Sequence, residues 1–134
     1  MKRSLFVLLF VMMFVLSACA GGSASTTINV ALAEFTFTPS EFTIPAGQEI
    51  TINATNNGAV VHEFVIMKFG QTAGDNFDEE DGGNVYWKIE AQPGANVTGT
   101  FTAPTEPGVY QIVCGTPGHY MAGMSGKLTV VAAK

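Results

Sequence analysis

The feature that most constrains the fold is an alternation of apolar and polar residues along many short segments. In QEITINAT (48–55) the isoleucines alternate with threonine and asparagine, and GKLTVVA (126–132) repeats the pattern. This period of two is typical of β-strands that bury one face. The other segments that we predict as strands are TINVALA (27–33), SEFTI (40–44), VVHEFVI (60–66), VYWKIE (85–90), NVTGTFTA (96–103) and GVYQIVC (108–114).

Turn-forming residues separate these segments. Proline fixes φ and glycine permits unusual φ values, so such residues favour turns over continued strands. The turns are Pro45-Ala46-Gly47, Asn56-Asn57-Gly58, Gln92-Pro93-Gly94 and Glu106-Pro107-Gly108. No long helical pattern competes with the strands. The sequence therefore predicts an all-β fold, a seven- or eight-stranded β-sandwich.

The first residues predict export rather than a folded element. Lys2 and Arg3 precede an apolar run, and small residues follow before Cys19. This order is typical of a secretory signal peptide, which we place at residues 1–18. A retained membrane anchor is the less favoured alternative, because the run is shorter than the roughly 20 residues that span a bilayer.

The residues around the cleavage site predict a lipid anchor. Leu16-Ser17-Ala18-Cys19 resembles a bacterial lipobox, which implies a lipidated Cys19 as the first mature residue. Residues 19–27 then form a flexible tether and 28–134 the domain. The chain is accordingly expected to be lipid-anchored to a membrane and to face the periplasm or cell exterior. Ordinary cleavage near Ala18 is the alternative.

The mature chain is acidic. Without Lys2 and Arg3 it has four lysines, no arginine and eleven carboxylates, a formal charge of −7. Nucleic-acid binding is disfavoured, because it requires a basic surface, whereas a partner with a basic patch is favoured. Residues 67–84 exceed an ordinary connection and hold four consecutive acids, Asp78, Glu79, Glu80 and Asp81. We interpret them first as a solvated loop, second as a partner-docking site, and only remotely as a calcium site.

The segment CGTPGHYMAGM (114–124) carries the candidate chemistry. It gathers a thiol at Cys114, an imidazole at His119 and two thioethers, and the second histidine, His62, lies in a predicted strand. Two histidines and a cysteine with a weak methionine are the donor set of a blue-copper electron-transfer site. Zinc also binds cysteine and histidine, but a methionine ligand favours copper.

The same residues resemble a known family. VVHEF followed by YQIVCGTPGHYMAGMSGKLTV resembles the cupredoxins, the superfamily of plastocyanin and azurin, and the resemblance covers essentially all of residues 27–134. The Cys-x4-His-x4-Met spacing is most similar to auracyanin-type blue copper proteins. The resemblance implies a Greek-key sandwich that binds one Cu(I)/Cu(II) ion, with His62, Cys114 and His119 as trigonal ligands and Met124 as the axial ligand. Met121 is the alternative axial candidate.

Two positions depart from the family pattern. Many relatives have an asparagine after the first histidine that braces the ligand loop, and this chain has Glu63. How the loop is braced is therefore left open by the sequence. Azurins have a glycine before that histidine whose carbonyl serves as a further ligand. Here the residue is Val61, so we predict no fifth ligand.

With the predicted lipid anchor, the leading hypothesis is a membrane-anchored carrier of single electrons between redox partners outside the cytoplasm. Electrons are expected to pass through His119, within an exposed apolar patch that includes Pro117, Gly118, Tyr120 and Met121. The expected partner is a redox protein with a basic docking patch, either a c-type cytochrome or a membrane oxidoreductase. The acidic residues 78–81 would steer it.

Three other functions are alternatives to electron transfer. Catalysis is not expected, because copper enzymes need further histidines and the proposed site uses both. A copper-binding carrier or buffer that delivers metal in the periplasm is the main alternative. A metal-free adhesion or scaffold sandwich is the third, and it would leave Cys114 free to react with thiol reagents.

Overall fold

Nine β-strands make up about half of the described residues. The computed structural model describes residues 23–134, so the predicted signal peptide (1–18) and lipidated Cys19 lie outside the described residues. The strands are β1 (Thr27–Ala33), β2 (Thr36–Thr38), β3 (Glu41–Pro45), β4 (Glu49–Asn56), β5 (His62–Met67), β6 (Val85–Ala91), β7 (Asn96–Thr102), β8 (Gly108–Val113) and β9 (Ser125–Val131). All eight predicted strands are present. The ninth, β2, has only three residues and was missed.

The strands form two sheets, which confirms the predicted sandwich. One sheet has the order β2-β1-β4-β7 and the other β3-β9-β8-β5-β6. β1 pairs with β4, and β3 with β9, in parallel, while the remaining pairs are antiparallel. None of the helices among residues 23–134 has the length and apolar character to cross a membrane.

The core lies between the sheets and follows directly from the alternation in the sequence. The inward residues of β1 and β4 are fully or almost fully buried, while their neighbours remain partly exposed. Phe64 of β5 meets the rings of Phe37 and Phe42 edge-on, at centroid distances of 5.3 and 5.8 Å. Burying one such side chain contributes about 1.5–3 kcal/mol. The core thereby fixes the ends of β5 and β8, which carry the candidate site.

The segment between β5 and β6 covers the outer face of the five-stranded sheet. Val65 and Met67 point away from the main core, yet both are buried with Ala73. The Ala73 N–H donates to Gln111 Oε1 at 2.8 Å, which fastens the segment to β8. β5 is therefore buried on both faces, and the segment is more than a solvated loop.

The four consecutive acids begin a short 3-10 helix, Glu79–Asn84. Asp78 Oδ1 accepts from the Glu80 N–H at 2.9 Å, and Asp81 Oδ2 accepts from the Asp78 N–H at 3.1 Å. This reciprocal pair is a capping box. Two of the carboxylates thus hold the turn, and Glu79 and Glu80 are exposed beside them.

The ordered contacts of the domain begin before β1. The Ser25 N–H donates to the Thr43 carbonyl at 3.0 Å, and Thr27 already belongs to β1. The predicted tether (19–27) therefore overlaps the first strand by one residue.

Candidate metal centre

Three metal-binding side chains converge at one end of the sandwich. His62 is the first residue of β5, Cys114 directly follows β8, and His119 lies in the loop after it. The two Nδ1 atoms are 3.1 Å apart, and the Cys114 Sγ lies 3.8 Å from His62 Nδ1 and 3.6 Å from His119 Nδ1. His62 and Cys114 are fully buried and His119 is 8% exposed.

The spacing of these donors fits a single bound ion. Nitrogen and sulfur ligands about 2.0–2.3 Å from one metal, at angles of roughly 100–120°, lie about 3.1–3.8 Å from each other. The three measured separations fall in this range. Without an ion, two imidazole lone pairs and a thiol would be buried against each other with little compensation. The donor set therefore favours a soft metal that accepts sulfur and imidazole.

The loop that carries three of the predicted ligands, residues 114–124, is called the ligand loop, and backbone hydrogen bonds shape it. The Cys114 N–H donates to the Met124 carbonyl at 3.1 Å, and the Met124 N–H donates to the His119 carbonyl at 3.0 Å. Gly118 and Gly123 adopt φ values of +82° and +102°, which favour glycine over any residue with a Cβ. These bonds place the sulfur of Cys114 and the ring of His119 on the same side of the loop, where they meet.

The two methionines of the loop lie in different environments. Met124 is fully buried and belongs to the main core cluster together with Cys114. Met121 is 68% exposed. An axial ligand must face the buried side of the centre, so burial favours Met124 over Met121 as the axial ligand, which remains a prediction.

Comparisons with known proteins agree with this geometry. A family model for a cupredoxin-like domain matches residues 5–130. The chain is a cupredoxin. Auracyanin-A of Chloroflexus aurantiacus is 33% identical, with 97% of each chain covered. The crystal structure of dithionite-reduced auracyanin from Roseiflexus castenholzii has a TM-score of 0.70 and 36% identity, covering 81% of this chain and 99% of that one.

A second kind of relative is also similar. The copper-resistant cuproprotein CopI of Rubrivivax gelatinosus is 30% identical over 80% of this chain and 67% of its own length. Auracyanin A, which has a solved structure, is a blue copper protein. Together with the convergent donors, these relatives identify the centre as one that fits a single type 1 copper ion.

This cupredoxin braces its ligand loop through a threonine. Thr116 Oγ1 donates to the Val61 carbonyl at 2.9 Å and so joins the loop to the residue before His62. Glu63 instead pairs with Lys88 Nζ at 2.7 Å. The Glu63 carboxylate lies so close to Gly115 that a Cβ there would overlap it. No local pattern around Thr116 indicates that it would take over the bracing role.

A buried asparagine holds the other ligand-bearing segment of the cupredoxin. Asn56 is fully buried. Its Nδ2 donates to the carbonyls of Val60 and Ala91, both at 2.8 Å, and its Oδ1 accepts from the Gly58 N–H at 2.9 Å. These bonds fix the course of the chain from the end of β4 to His62.

The environment keeps His62 in the form that a metal requires. Burial lowers the pKa of His62 below its usual value, the His119 ring lowers it further, and Glu34 partly opposes them. The ring is therefore neutral near pH 7, as metal ligation demands. Bonds from its own N–H and that of Ala59 lower the pKa of Glu34, so this carboxylate is ionised beside the ring.

Two residues next to the imidazoles were missed by the sequence analysis. Glu34 Oε1 lies 3.6 Å from His62 Nε2. The Phe35 ring meets the His119 ring edge-on at a centroid distance of 5.1 Å. Both belong to the turn between β1 and β2, which no local pattern connects with a histidine 28 or more positions later in the chain.

The residues predicted to dock a partner lie around His119 in two different settings. Pro117, Gly118 and Met121 are exposed. Tyr120 is half-buried, accepts from Gln111 Nε2 at 2.8 Å and donates to the Gly74 carbonyl at 2.9 Å. Tyr120 therefore fastens the segment between β5 and β6 to the ligand loop.

Proposed function

We propose that this cupredoxin carries single electrons, its bound copper ion alternating between Cu(II) and Cu(I). The observation that supports the proposal is the buried convergence of two Nδ1 atoms and one Sγ within 4.8 Å of each other. A thiolate with two imidazoles and a weak thioether suits both oxidation states of copper.

The surrounding residues keep the donors in place and keep water away. The Thr116 bond to Val61 joins the two ligand-bearing segments, and Asn56 fixes the second of them. A site whose donors are held by packing and hydrogen bonds needs little rearrangement when its charge changes. Such a site favours rapid electron exchange over release of the metal.

Colour and reversibility test the electron-carrier role. Adding Cu(II) to the purified domain should give an intense visible thiolate charge-transfer band that a reductant bleaches and an oxidant restores. Cys114→Ser should abolish the band. Met124→Leu should shift the band and the reduction potential, whereas the matched control Met121→Leu should change neither. A Cys114→Ser variant that keeps the parent's colour and potential would refute the proposal.

Metal delivery is the second candidate function. The similarity to the copper-resistant cuproprotein CopI favours it. A delivery protein should release copper readily in one oxidation state, so Cu(I) should pass within minutes to an excess of a Cu(I) chelator. Retention of copper under these conditions, with a reversible potential, favours electron transfer. Rapid loss without a reversible potential favours delivery.

The proposed partner is a redox protein with a basic patch, such as a c-type cytochrome. A groove of about 730 Å³ lies beside the ligand loop. It is lined by Asp78 and Glu79 and by Pro117, Gly118 and Met121, among other residues. Members of both sets of residues predicted to dock a partner therefore line one groove, which supports an apolar contact next to His119 with acidic steering at its edge.

Charge removal tests this docking surface. The variant Glu79→Gln/Glu80→Gln leaves the capping pair Asp78 and Asp81 intact. It should slow electron exchange with a basic cytochrome several-fold at low ionic strength, and the difference should vanish as salt is raised. The control Glu49→Gln/Glu106→Gln removes the same charge at the opposite end of the sandwich. Equal rates for the two variants would contradict the proposal.

A lipid at Cys19 is proposed to hold the carrier at the membrane, facing the periplasm or cell exterior. The lipobox-like residues 16–19 and the apolar run before them support this anchor. A Cys19→Ser variant expressed in a bacterial host should move from the membrane fraction to the soluble fraction, provided that it is exported. Unchanged membrane association would exclude the lipid.

A further inference from the structure

The turn between β1 and β2 brings a carboxylate to the back of one predicted copper ligand. Glu34 Oε1 lies 3.6 Å from His62 Nε2, the ring nitrogen on the far side from Cys114. Two backbone N–H groups hold the carboxylate, Ala59 at 2.6 Å and Val60 at 3.2 Å. The carboxylate is thus fixed by the same segment that carries the chain into His62.

His62 Nε2 needs an acceptor. Within residues 23–134 it is the one buried side-chain nitrogen or oxygen atom without a hydrogen-bond partner. A neutral imidazole carries one N–H. If Nδ1 offers its lone pair to a metal, the proton must lie on Nε2, and a buried unpaired N–H costs about 1–3 kcal/mol. Among the described side chains, the structure brings the Glu34 carboxylate to this nitrogen.

A glycine keeps the space between the two groups open. A Cβ on Gly58 would lie 2.7 Å from His62 Nε2 and 2.6 Å from Glu34 Oε1. Any side chain at this position would therefore push the carboxylate away from the ring. Gly58 thus permits the approach of Glu34 to His62, in addition to the turn that its N–H makes with Asn56.

We propose that Glu34 is a positioning residue for the copper site, the acceptor for the His62 Nε2–H that fixes the tautomer and orientation of the ring. The separation of 3.6 Å is longer than a formed hydrogen bond, and such contacts often shorten when a site is filled. A carboxylate behind a metal-bound histidine also raises the basicity of the ligand. Its negative charge favours Cu(II) over Cu(I).

The inference rests on the proposed function, and Glu34→Gln tests it. Glutamine keeps the size of the side chain and an oxygen for the Ala59 and Val60 N–H groups, but it removes the charge. Loss of an outer partner of this kind typically lowers metal affinity about 10- to 100-fold. We expect the loss to be larger for Cu(II) than for Cu(I). Each tenfold difference between the two losses raises the reduction potential by about 59 mV.

Two further variants separate positioning from general charge effects. Glu49→Gln removes the same charge at the end of β4 that lies away from the metal centre. It should leave the copper affinity and the potential nearly unchanged. Gly58→Ala retains the Glu34 charge but separates it from the ring, so it should shift affinity and potential in the same direction as Glu34→Gln. If Glu34→Gln moves neither quantity further than Glu49→Gln does, the proposal is wrong.

The apo-protein provides a readout that needs no copper. Nitrogen chemical shifts of the imidazole should place the His62 proton on Nε2 in the parent and show a mixture of tautomers in Glu34→Ala. An unchanged tautomer would overturn the proposal and leave Glu34 as a support for the Ala59 and Val60 N–H groups only. If the parent itself shows no reversible potential, the electron-carrier role fails, yet the tautomer and affinity comparisons still decide the role of Glu34.

Discussion

Replacing Asn56 by alanine should destabilise the domain more than any other single loss of hydrogen bonds near the metal centre. The side chain is fully buried and makes three hydrogen bonds, two as a donor and one as an acceptor. Alanine leaves each of the three backbone partners without its hydrogen bond to this side chain. The segment that delivers His62 then loses its anchor to the end of β4.

The size of the effect follows from the surroundings of each partner. The bond to the Ala91 carbonyl is buried, so that oxygen loses its partner without gaining water, which costs about 1–3 kcal/mol. The Val60 carbonyl and the Gly58 N–H are only partly buried. These two groups can bond to water instead, so the loss of each hydrogen bond costs about 0.5–1 kcal/mol. We expect a total loss of about 3 kcal/mol in the free energy of unfolding.

Urea unfolding of the apo-protein measures this loss. With an m-value of about 1.5 kcal/mol per M, 3 kcal/mol lowers the midpoint by about 2 M urea. Asn53→Ala is the matched control, because Asn53 lies in the same strand and bonds to Asn29 and Thr98 at 2.9 Å on an exposed face. It should change the free energy by no more than about 0.5 kcal/mol.

The comparison between the two variants decides the matter. If Asn56→Ala and Asn53→Ala shift the midpoint equally, the buried hydrogen bonds of the Asn56 amide are not what stabilises this end of the sandwich. A changed m-value in Asn56→Ala would indicate an altered denatured or native state and would remove the basis of the estimate.

Three more substitutions test other contacts. Thr116→Val removes the bond to Val61 at nearly constant volume, so it should cost about 1 kcal/mol and broaden the copper absorption band in visible spectra. Gly126→Ala places a Cβ 2.5 Å from the Ser40 carbonyl oxygen, and it should lower the urea midpoint by the equivalent of about 1–3 kcal/mol. Burial raises the pKa of Tyr110, so its unfolded form ionises first and stability should fall as pH rises above the usual value of 10.0. Tyr110→Phe should show a smaller fall in unfolding experiments at increasing pH, and an unchanged slope would contradict the assignment.

The strands and the predicted ligands could be found from the sequence because their signals are local. The alternation in β4 and β9 and the apolar residues of β1 define buried faces within a few residues. The loop from Cys114 to Met124 holds three of the four predicted ligands in one stretch. β2 was missed because three residues, of which only Phe37 is buried, are too few for a period to emerge.

The supporting residues could not be found in this way. Glu34 contacts His62 although three strands separate them in the chain, and Thr116 replaces a brace that the family pattern places elsewhere. Both contacts depend on the register of distant segments. The segment between β5 and β6 was expected to be mainly solvated because its charges dominate its composition. Ala73 and Phe77, two apolar residues that pack against the outer face of the sheet, stand among these charges.

Two successive backbone pairings close the base of the ligand loop. The last pair of the β8–β9 ladder is Val113 with Ser125, and the next bond joins the Cys114 N–H to the Met124 carbonyl. Insertions or replacements inside the loop would leave the register of both strands untouched. Mutations confined to this short loop can therefore change the metal-binding residues during evolution, while the two sheets of the sandwich stay the same.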